Sequence, residues 1–179
     1  QGLNFKSPLH GDYNLTNIAA SIAFGVIFNV KLINIQNAIA GYQSENNRSQ
    51  KLKIGNVEYI LDAYNANPSS MEAALKAFAE NKSNSKTVIL GDMLELGIYS
   101  NEEHENVLKL CLEYKFNNIF TVGNHFKTTS IEAKEIIKFE RIEIFKKYLK
   151  KQNILFDYVL IKGSRALELE GLIPFLKSK

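Results

Sequence analysis

Residues 87–92 read Thr-Val-Ile-Leu-Gly-Asp, a continuous apolar run that ends in a glycine and an acid. A run without polar alternation is typical of a strand that is covered on both faces of a parallel sheet. Residues 118–123 (Asn-Ile-Phe-Thr-Val-Gly) and 158–163 (Tyr-Val-Leu-Ile-Lys-Gly) have the same form, and helical periodicity lies between the runs. Strands that alternate with helices predict an α/β fold with a mainly parallel sheet.

The remaining elements follow from the same patterns. Residues 14–42 are predicted to be helical, with a second helix from Asn34 to Ala40 that ends at Gly41. Residues 51–54 and 57–61 predict a hairpin, and the uniformly polar residues 44–50 predict a linker. Further helices are predicted over 68–80, 101–114 and 142–151, and a last helix is predicted to begin near Arg165.

The composition excludes several classes of protein. Of 179 residues, 45% are hydrophobic and 23% are charged, which are globular values, and a net charge of +3 does not demand a nucleic-acid partner. The single cysteine, Cys111, excludes an intrachain disulfide and a cysteine-based zinc site. The longest apolar stretch, Ile18 to Val30, is too short to span a bilayer. Neither a targeting signal nor a phosphate loop of the form GxxxxGK[ST] occurs in the sequence.

Three predicted strands end in glycine: Gly91 before Asp92, Gly123 before Asn124, and Gly163 before Ser164. In a parallel sheet these loops meet at the carboxyl edge, where open α/β folds bind ligands. The alternative is that each glycine only eases the passage from strand to loop.

Residues 61–71 read Leu-Asp-Ala-Tyr-Asn-Ala-Asn-Pro-Ser-Ser-Met. Asn67 and Pro68 suit the start of a helix, but helix capping does not explain Asp62, Tyr64 and Asn65. An acid directly after an apolar strand can accept hydrogen bonds from a ribose diol.

Three other segments carry candidate groups. Asn14 and Asn17 lie three residues apart at a predicted helix start, where plain capping is the alternative. Residues 162–165, Lys-Gly-Ser-Arg, predict an anion site at a strand end that leads into a helix. Residues 91–97 place two carboxylates, one of them that of Asp92, between glycines; a solvated turn is the alternative. The acids around His104 are interpreted as an acidic first helical turn, not as a metal site.

Together these segments resemble the Mur ligase family. Residues 11–20 are similar to its GxHNxxNAxAA signature, with Tyr13 in place of histidine and Ile18 in place of alanine. Residues 61–71 are similar to DDxYNANPxSM, with Leu61 in place of the first acid. Residues 90–97 with His104 match LGDMxELG and its downstream histidine, and residues 162–165 match KGSR. The last three segments resemble the branch of the family that adds D-Ala-D-Ala.

The resemblance implies an organisation and an activity. Residues 1–45 would be the last helices of a central ATP-binding domain, and residues 46–179 a Rossmann-like ligase domain, with the phosphate loop upstream. The implied reaction is the ATP-dependent addition of D-Ala-D-Ala to UDP-MurNAc-tripeptide through an acyl phosphate, in the synthesis of bacterial peptidoglycan. The resemblance also implies a cytoplasmic monomer that uses ATP and Mg²⁺, the latter bound mainly upstream, and an isolated chain that is inactive.

The resemblance assigns roles residue by residue. Arg48 would be catalytic and would reach the phosphates when the domains close. The ATP-binding residues would be Asn14, Asn17, Asp62, Tyr64 and Asn65. The residues on the D-Ala-D-Ala side would be Asp92, Lys162, Ser164 and Arg165. None of these residues is expected to hold a metal.

Two rival functions remain open from the sequence. One is another amide ligase of the superfamily, such as a different Mur ligase or folylpolyglutamate synthase. The other is a non-catalytic nucleotide-binding or protein-interaction domain. A GxxGKT/S loop upstream in the gene would favour a ligase over the second rival.

Overall fold

The computed structural model describes residues 4–9, 11–44, 47–83 and 85–178. Its helices are α1 (Leu15–Ile27), α2 (Leu32–Ala40), α3 (Pro68–Ala79), α4 (Ser100–Glu113), α5 (Asn124–Lys127) and α6 (Ile142–Lys151). Its strands are β1 (Gln50–Ile54), β2 (Val57–Asp62), β3 (Lys86–Gly91), β4 (Asn118–Val122), β5 (Ile136–Phe139), β6 (Leu155–Phe156), β7 (Tyr158–Lys162) and β8 (Lys177–Ser178). The helices and strands predicted between residues 50 and 162 are present, with ends shifted by one or two residues. The region 14–42 predicted to be helical is divided, because residues 28–31 between α1 and α2 are not helical.

Six strands form one sheet in the order β1-β2-β7-β3-β4-β5. Only the hairpin pair β1–β2 is antiparallel, and the other four pairs are parallel. The predicted α/β fold with a mainly parallel sheet is therefore confirmed. Because β7 enters between β2 and β3, Lys162 lies opposite both Asp62 and Leu90. The carboxyl ends of β2, β7, β3 and β4 are thereby brought side by side.

The sheet is covered on both faces, which explains its apolar strands. On one face, Val88 and Leu90 pack in a core with residues of α3 and α4. On the other face, Ile89 packs in a second core with Phe145 of α6 and with Leu169. Cys111 of α4 is fully buried, and this burial raises the pKa of its thiol far above the ordinary value. The thiol is therefore a core group and not a nucleophile.

The end of the chain differs from the sequence prediction. The helix predicted to begin near Arg165 is a single 3₁₀ turn, Arg165–Leu167, followed by a second 3₁₀ segment, Leu169–Phe175. Glu168 between them has a left-handed backbone (φ 48°), which interrupts any continuous helix. The predicted helix that begins near Arg165 is therefore wrong, and the single 3₁₀ turn supplies little dipole for an anion.

No residue of helix α1 is buried, although Ile18, Ile22 and Gly25 are partly covered. Phe24 and Ile27 of α1, and Phe28 directly after it, are 62%, 68% and 74% exposed. Contact with α2 is close at Gly25, where a β-carbon would lie 2.7 Å from Ile35 Cδ1. No helix in the described ranges is long and apolar enough to cross a membrane.

Candidate functional site

A cleft of about 800 Å³ separates α1 and α2 from the carboxyl end of β2. It gathers every residue predicted for catalysis or ATP binding, together with one residue predicted for the acceptor side. These seven are Asn14, Asn17, Arg48, Asp62, Tyr64, Asn65 and Lys162. Segments far apart in the sequence therefore converge on one cavity, as expected of a ligand site.

Asp62 lies at the floor of this cleft, at the end of β2. Its Oδ1 accepts a hydrogen bond from the backbone N–H of Ser49 at 2.9 Å, and its Oδ2 accepts one from Lys162 Nζ at 2.6 Å. The Asp62 side chain keeps 16% of its surface exposed. Since a carboxylate offers about four lone-pair positions, Asp62 retains acceptor capacity for a ligand hydroxyl.

Lys162 is buried at the same point, with its side chain 2% exposed. Besides Asp62, its ammonium donates to the backbone carbonyl of Asn65 at 3.2 Å. The lysine therefore neutralises the Asp62 carboxylate and holds the loop that follows β2. A buried ammonium with an ionic partner and a carbonyl acceptor satisfies the conditions under which charges are tolerated inside proteins.

The Tyr64 ring contacts the guanidinium groups of two arginines. The guanidinium carbon of Arg48 lies 3.7 Å from the centre of this ring, and that of Arg165 lies 5.6 Å from it. Such cation–π contacts hold a guanidinium against a ring face and leave its N–H groups free for an anion. The linker backbone is bent on both sides of Arg48, because Asn47 and Ser49 have left-handed φ values of 59° and 48°.

Asn14 and Asn17 form the opposite wall of the cleft. Asn17 Nδ2 donates to Asn14 Oδ1 at 3.2 Å, and Asn14 is 7% exposed. The side chain of Asn14 does not cap α1, so the capping alternative does not account for it. In contrast, Asn67 caps α3 as predicted, since its side chain accepts from the backbone N–H of Ser70 at 2.9 Å.

Asp92 occupies a different place, away from the cleft lining. It is 4% exposed, and its two oxygens accept the backbone N–H groups of His125 and Phe126, each at 2.9 Å. The carboxylate thus holds the start of α5. Position 123 must be glycine here, because a β-carbon on Gly123 would lie 2.1 Å from Asp92 Cγ.

The four predicted acceptor-side residues are not brought together. Lys162 lines the cleft, Asp92 holds α5, and Ser164 is buried, whereas Arg165 is exposed beside Tyr64. The glycines of these segments serve packing: a β-carbon on Gly163 would lie 3.0 Å from Gly91 Cα and 2.7 Å from Leu169 Cδ1. Close packing therefore explains why Gly91 and Gly163 are glycines, without any contact to a ligand.

His104 is fully buried and supports the loop that contains Asp92. Its Nε2 accepts the backbone N–H of Met93 at 3.0 Å, and its Nδ1 lies 2.6 Å from the carbonyl of Ser100, to which it donates. This arrangement needs the neutral ring, and desolvation by burial lowers the pKa of His104 below its ordinary value. At 3.7 Å, the contact of Nε2 with Asp92 Oδ1 is too long for a hydrogen bond.

This burial predicts acid sensitivity of the fold. A histidine whose folded pKa lies below its unfolded value of 6.5 contributes full stability above pH 6.5, and that contribution is lost as pH falls below 6.5. We expect the free energy of unfolding in urea to fall by up to about 1.4 kcal/mol per pH unit over that range. His104→Gln should flatten this dependence and His125→Gln should not. An equal slope in His104→Gln would contradict the assignment.

Within the described part of the chain, no group of three or more histidine, cysteine, aspartate or glutamate side chains could hold a metal ion. Glu102 and Glu103 lie in the first turn of α4, as the sequence interpretation had it. Among the cleft residues that the sequence did not single out is Ser49, which donates to Asp62. Its closer contact is the backbone N–H at 2.9 Å, with the hydroxyl at 3.4 Å, and a backbone donor cannot be identified from side-chain patterns.

Residues 47–165 match the family model described as Mur ligase, glutamate ligase domain. The chain belongs to the Mur ligase family. This Mur ligase chain is 32% identical to the UDP-N-acetylmuramoyl-tripeptide–D-alanyl-D-alanine ligase of Treponema pallidum, over 100% of its own length and 40% of that protein's. The chain therefore spans about two fifths of the length of the curated relatives it matches.

Solved structures agree with this Mur ligase assignment. The D-alanyl-D-alanyl ligase of Acinetobacter baumannii superimposes with a TM-score of 0.83 at 27% identity, covering 95% of this chain and 37% of that one. MurF of Thermotoga maritima, solved in complex with ADP, gives a TM-score of 0.77 at 24% identity, covering 93% and 38%. The second likeness is one of fold.

Proposed function

We propose that this chain is the carboxyl-terminal part of a longer UDP-N-acetylmuramoyl-tripeptide–D-alanyl-D-alanine ligase. The observation that carries the proposal is the cleft, in which the family signatures at residues 11–20, 61–71 and 162–165 converge with Arg48. The similarity to curated D-Ala-D-Ala ligases over nearly the whole chain supports this member of the family rather than another Mur ligase or folylpolyglutamate synthase. The protein would act as a monomer in the bacterial cytoplasm.

In this proposal, residues 1–45 belong to a central ATP-binding domain and residues 46–179 form the ligase domain. The exposed apolar surface of α1 supports the division, because a helix with no buried residue is normally completed by further structure. The 179 residues contain no GxxxxGK[ST] loop, so the phosphate loop and the Mg²⁺ ligands would lie in the preceding part of the ligase.

The proposed reaction begins when ATP phosphorylates the carboxylate of UDP-MurNAc-tripeptide. The amine of D-Ala-D-Ala then attacks the acyl phosphate, forming the amide and releasing phosphate. The cleft suits the nucleoside end of ATP, since Asp62 can accept ribose hydroxyls and the amides of Asn14 and Asn17 can face adenine. Arg48 at the mouth of the cleft would neutralise charge on the transferring phosphoryl group.

The acceptor side rests on fewer contacts. We propose that Arg165, the exposed member of the predicted set, binds the carboxylate of D-Ala-D-Ala. Asp92 and Ser164 would act indirectly, because Asp92 is engaged with α5 and Ser164 is buried. Fixing the carboxylate directs the amine at the opposite end of the dipeptide towards the acyl phosphate.

The function is tested by expressing the complete gene product and following UDP-MurNAc-pentapeptide by mass spectrometry. Product should form only when ATP, UDP-MurNAc-tripeptide and D-Ala-D-Ala are all present. Replacing D-Ala-D-Ala by L-alanine, D-glutamate or a folate with glutamate tests the other ligases of the superfamily. Product with one of these and none with D-Ala-D-Ala would contradict the proposal.

The 179-residue chain alone is expected to fold and not to hydrolyse ATP. Its six-stranded sheet has an apolar core on each face, but its sequence has no GxxxxGK[ST] loop to cradle the transferring phosphate. Circular dichroism checks folding, and a phosphate-release assay checks turnover. ATP turnover above that of a heat-denatured sample would show that the chain contains a catalytic centre of its own.

Arg165→Ala in the ligase is expected to raise KM for D-Ala-D-Ala by about ten-fold or more, the loss of one charge-assisted contact, with KM for ATP nearly unchanged. The two constants are measured by steady-state kinetics at saturating concentrations of the other substrates. Arg141→Ala is the matched control, because it removes another exposed arginine, the residue directly before α6. A rise in KM for ATP alone would place Arg165 on the nucleotide side.

A further inference from the structure

We infer that Lys162 is a positioning residue for the nucleotide side of the cleft, and that the segment 162–165 is divided between the two substrates. The inference rests on the proposed ligase function and departs from the expectation that the whole segment faces D-Ala-D-Ala. Its basis is the position of the ammonium group, which contacts the carboxylate of Asp62 and the carbonyl of Asn65.

The sheet topology fixes this position. Strand β7 lies beside β2, and its last residue, Lys162, is in register with Asp62. The ammonium is 2.6 Å from Asp62 Oδ2, and the lysine side chain is 2% exposed. Arg165, only three residues later, is exposed and does not line the cleft. Lys162 therefore contacts the cleft, whereas Arg165 of the same short segment lies outside its lining.

The contacts of Lys162 extend to the linker. Asp62 is held on its other oxygen by the backbone N–H of Ser49 at 2.9 Å, so the carboxylate is oriented from two sides. Ser49 directly follows Arg48. The Asn65 carbonyl, Lys162, Asp62 and Ser49 thus form one connected series from the loop after β2 to the residue beside the catalytic arginine.

Removing the Lys162 ammonium should break two contacts of this series, those with Asp62 and with the Asn65 carbonyl. Asp62 would lose its cationic partner while remaining largely buried, so only Ser49 would hold its present orientation. The Asn65 carbonyl would lose its donor, and the loop containing Tyr64 would be released. Both effects act first on Asp62 and on the loop that follows β2, which would bind the nucleotide, and Arg165 is reached only through its contact with the Tyr64 ring.

The first experiment uses the unmodified 179-residue chain. The ¹⁵N-labelled lysine ammonium signals are recorded by NMR during titration with ADP and, separately, with D-Ala-D-Ala, each to millimolar concentration. The Lys162 signal, assigned by its absence in Lys162→Met, should shift with ADP and stay fixed with D-Ala-D-Ala. A shift with the dipeptide, or with neither compound, would overturn the inference. If Lys162→Met does not fold, selective labelling and nuclear Overhauser contacts to Asn65 assign the signal instead.

The second experiment compares Lys162→Met with Arg165→Met in the complete ligase. Lys162→Met should raise KM for ATP by about ten- to a hundred-fold, the loss of a charge-assisted contact, and should change KM for D-Ala-D-Ala less than twofold. Lys162→Arg should restore part of the ATP affinity, because it keeps the positive charge. The reverse pattern, a higher KM for the dipeptide alone, would overturn the inference.

The two experiments distinguish a failure of this inference from a failure of the proposed function. If the unsubstituted ligase adds no D-Ala-D-Ala, the proposed function fails, and the ADP titration still decides whether Lys162 belongs to the nucleotide side. If the ligase is active and the Lys162 signal does not shift with ADP, the inference about Lys162 is wrong and the proposed function stands.

Discussion

Replacing Arg48 by alanine in the ligase is expected to lower kcat by about ten- to a thousand-fold, with a much smaller effect on KM for ATP. Arg48 lies in the linker and is held against the Tyr64 ring, with its guanidinium carbon 3.7 Å from the ring centre. A cation at this position can meet the transferring phosphoryl group when the domains close. The arginine would then stabilise the transition state of phosphoryl transfer more than the bound ATP. Its loss should therefore lower kcat more than it raises KM.

Three variants sharpen this prediction. Arg48→Lys should recover only part of kcat, because an ammonium keeps the charge and loses the two-pronged geometry of the guanidinium. Tyr64→Phe should leave kcat nearly unchanged and Tyr64→Leu should lower it, because only the ring face supports Arg48. Steady-state kinetics measure all three. An unchanged kcat in Arg48→Ala would show that the arginine is a solvated linker charge.

Gly123→Ala is expected to destabilise the fold by about 3 kcal/mol or more. Gly123 has φ 129° and ψ 163°, a region that only glycine adopts readily. A β-carbon there would lie 2.1 Å from Asp92 Cγ and would displace the carboxylate that accepts two backbone N–H groups of α5. Backbone strain and lost hydrogen bonds therefore add in one substitution.

Gly97→Ala is the matched control, since Gly97 also has a positive φ, 55°, but no atom beyond its own chain neighbours lies within 4 Å of its β-carbon position. It should cost about 1 kcal/mol, the strain alone. Urea denaturation of the 179-residue chain gives both free energies of unfolding. Equal costs at the two positions would mean that Asp92 does not hold α5 as described.

Features that depend on local pattern could be predicted from the sequence. The three apolar runs that end in glycine are strands β3, β4 and β7, and Asn67-Pro68 begins α3, because burial on both faces and helix capping each leave a pattern along the chain. Strand β5, Ile136–Phe139, was missed because it has four residues, two of them only partly buried, and so no long apolar run. The last helix was wrong because the left-handed Glu168 divides the segment.

The residues proposed for the nucleotide side line one cleft, and their roles stay predictions. The grouping of Asp92 with Lys162 on the acceptor side came from the family resemblance, and the structure places the two side chains in different surroundings. Strand order decides which strand ends meet, and the sequence does not state that β7 enters between β2 and β3. The same insertion sets Lys162 against Asp62 and leaves Asp92 to bind α5.

The most direct test of the proposed nucleotide site is a crystal structure of the complete protein with ADP. We predict that ribose hydroxyls lie within hydrogen-bond distance of the Asp62 carboxylate, that the adenine lies beside Asn14 and Asn17, and that Lys162 keeps its contact with Asp62. A ribose bound elsewhere, with the Asp62 carboxylate engaged only by Ser49 and Lys162, would contradict it.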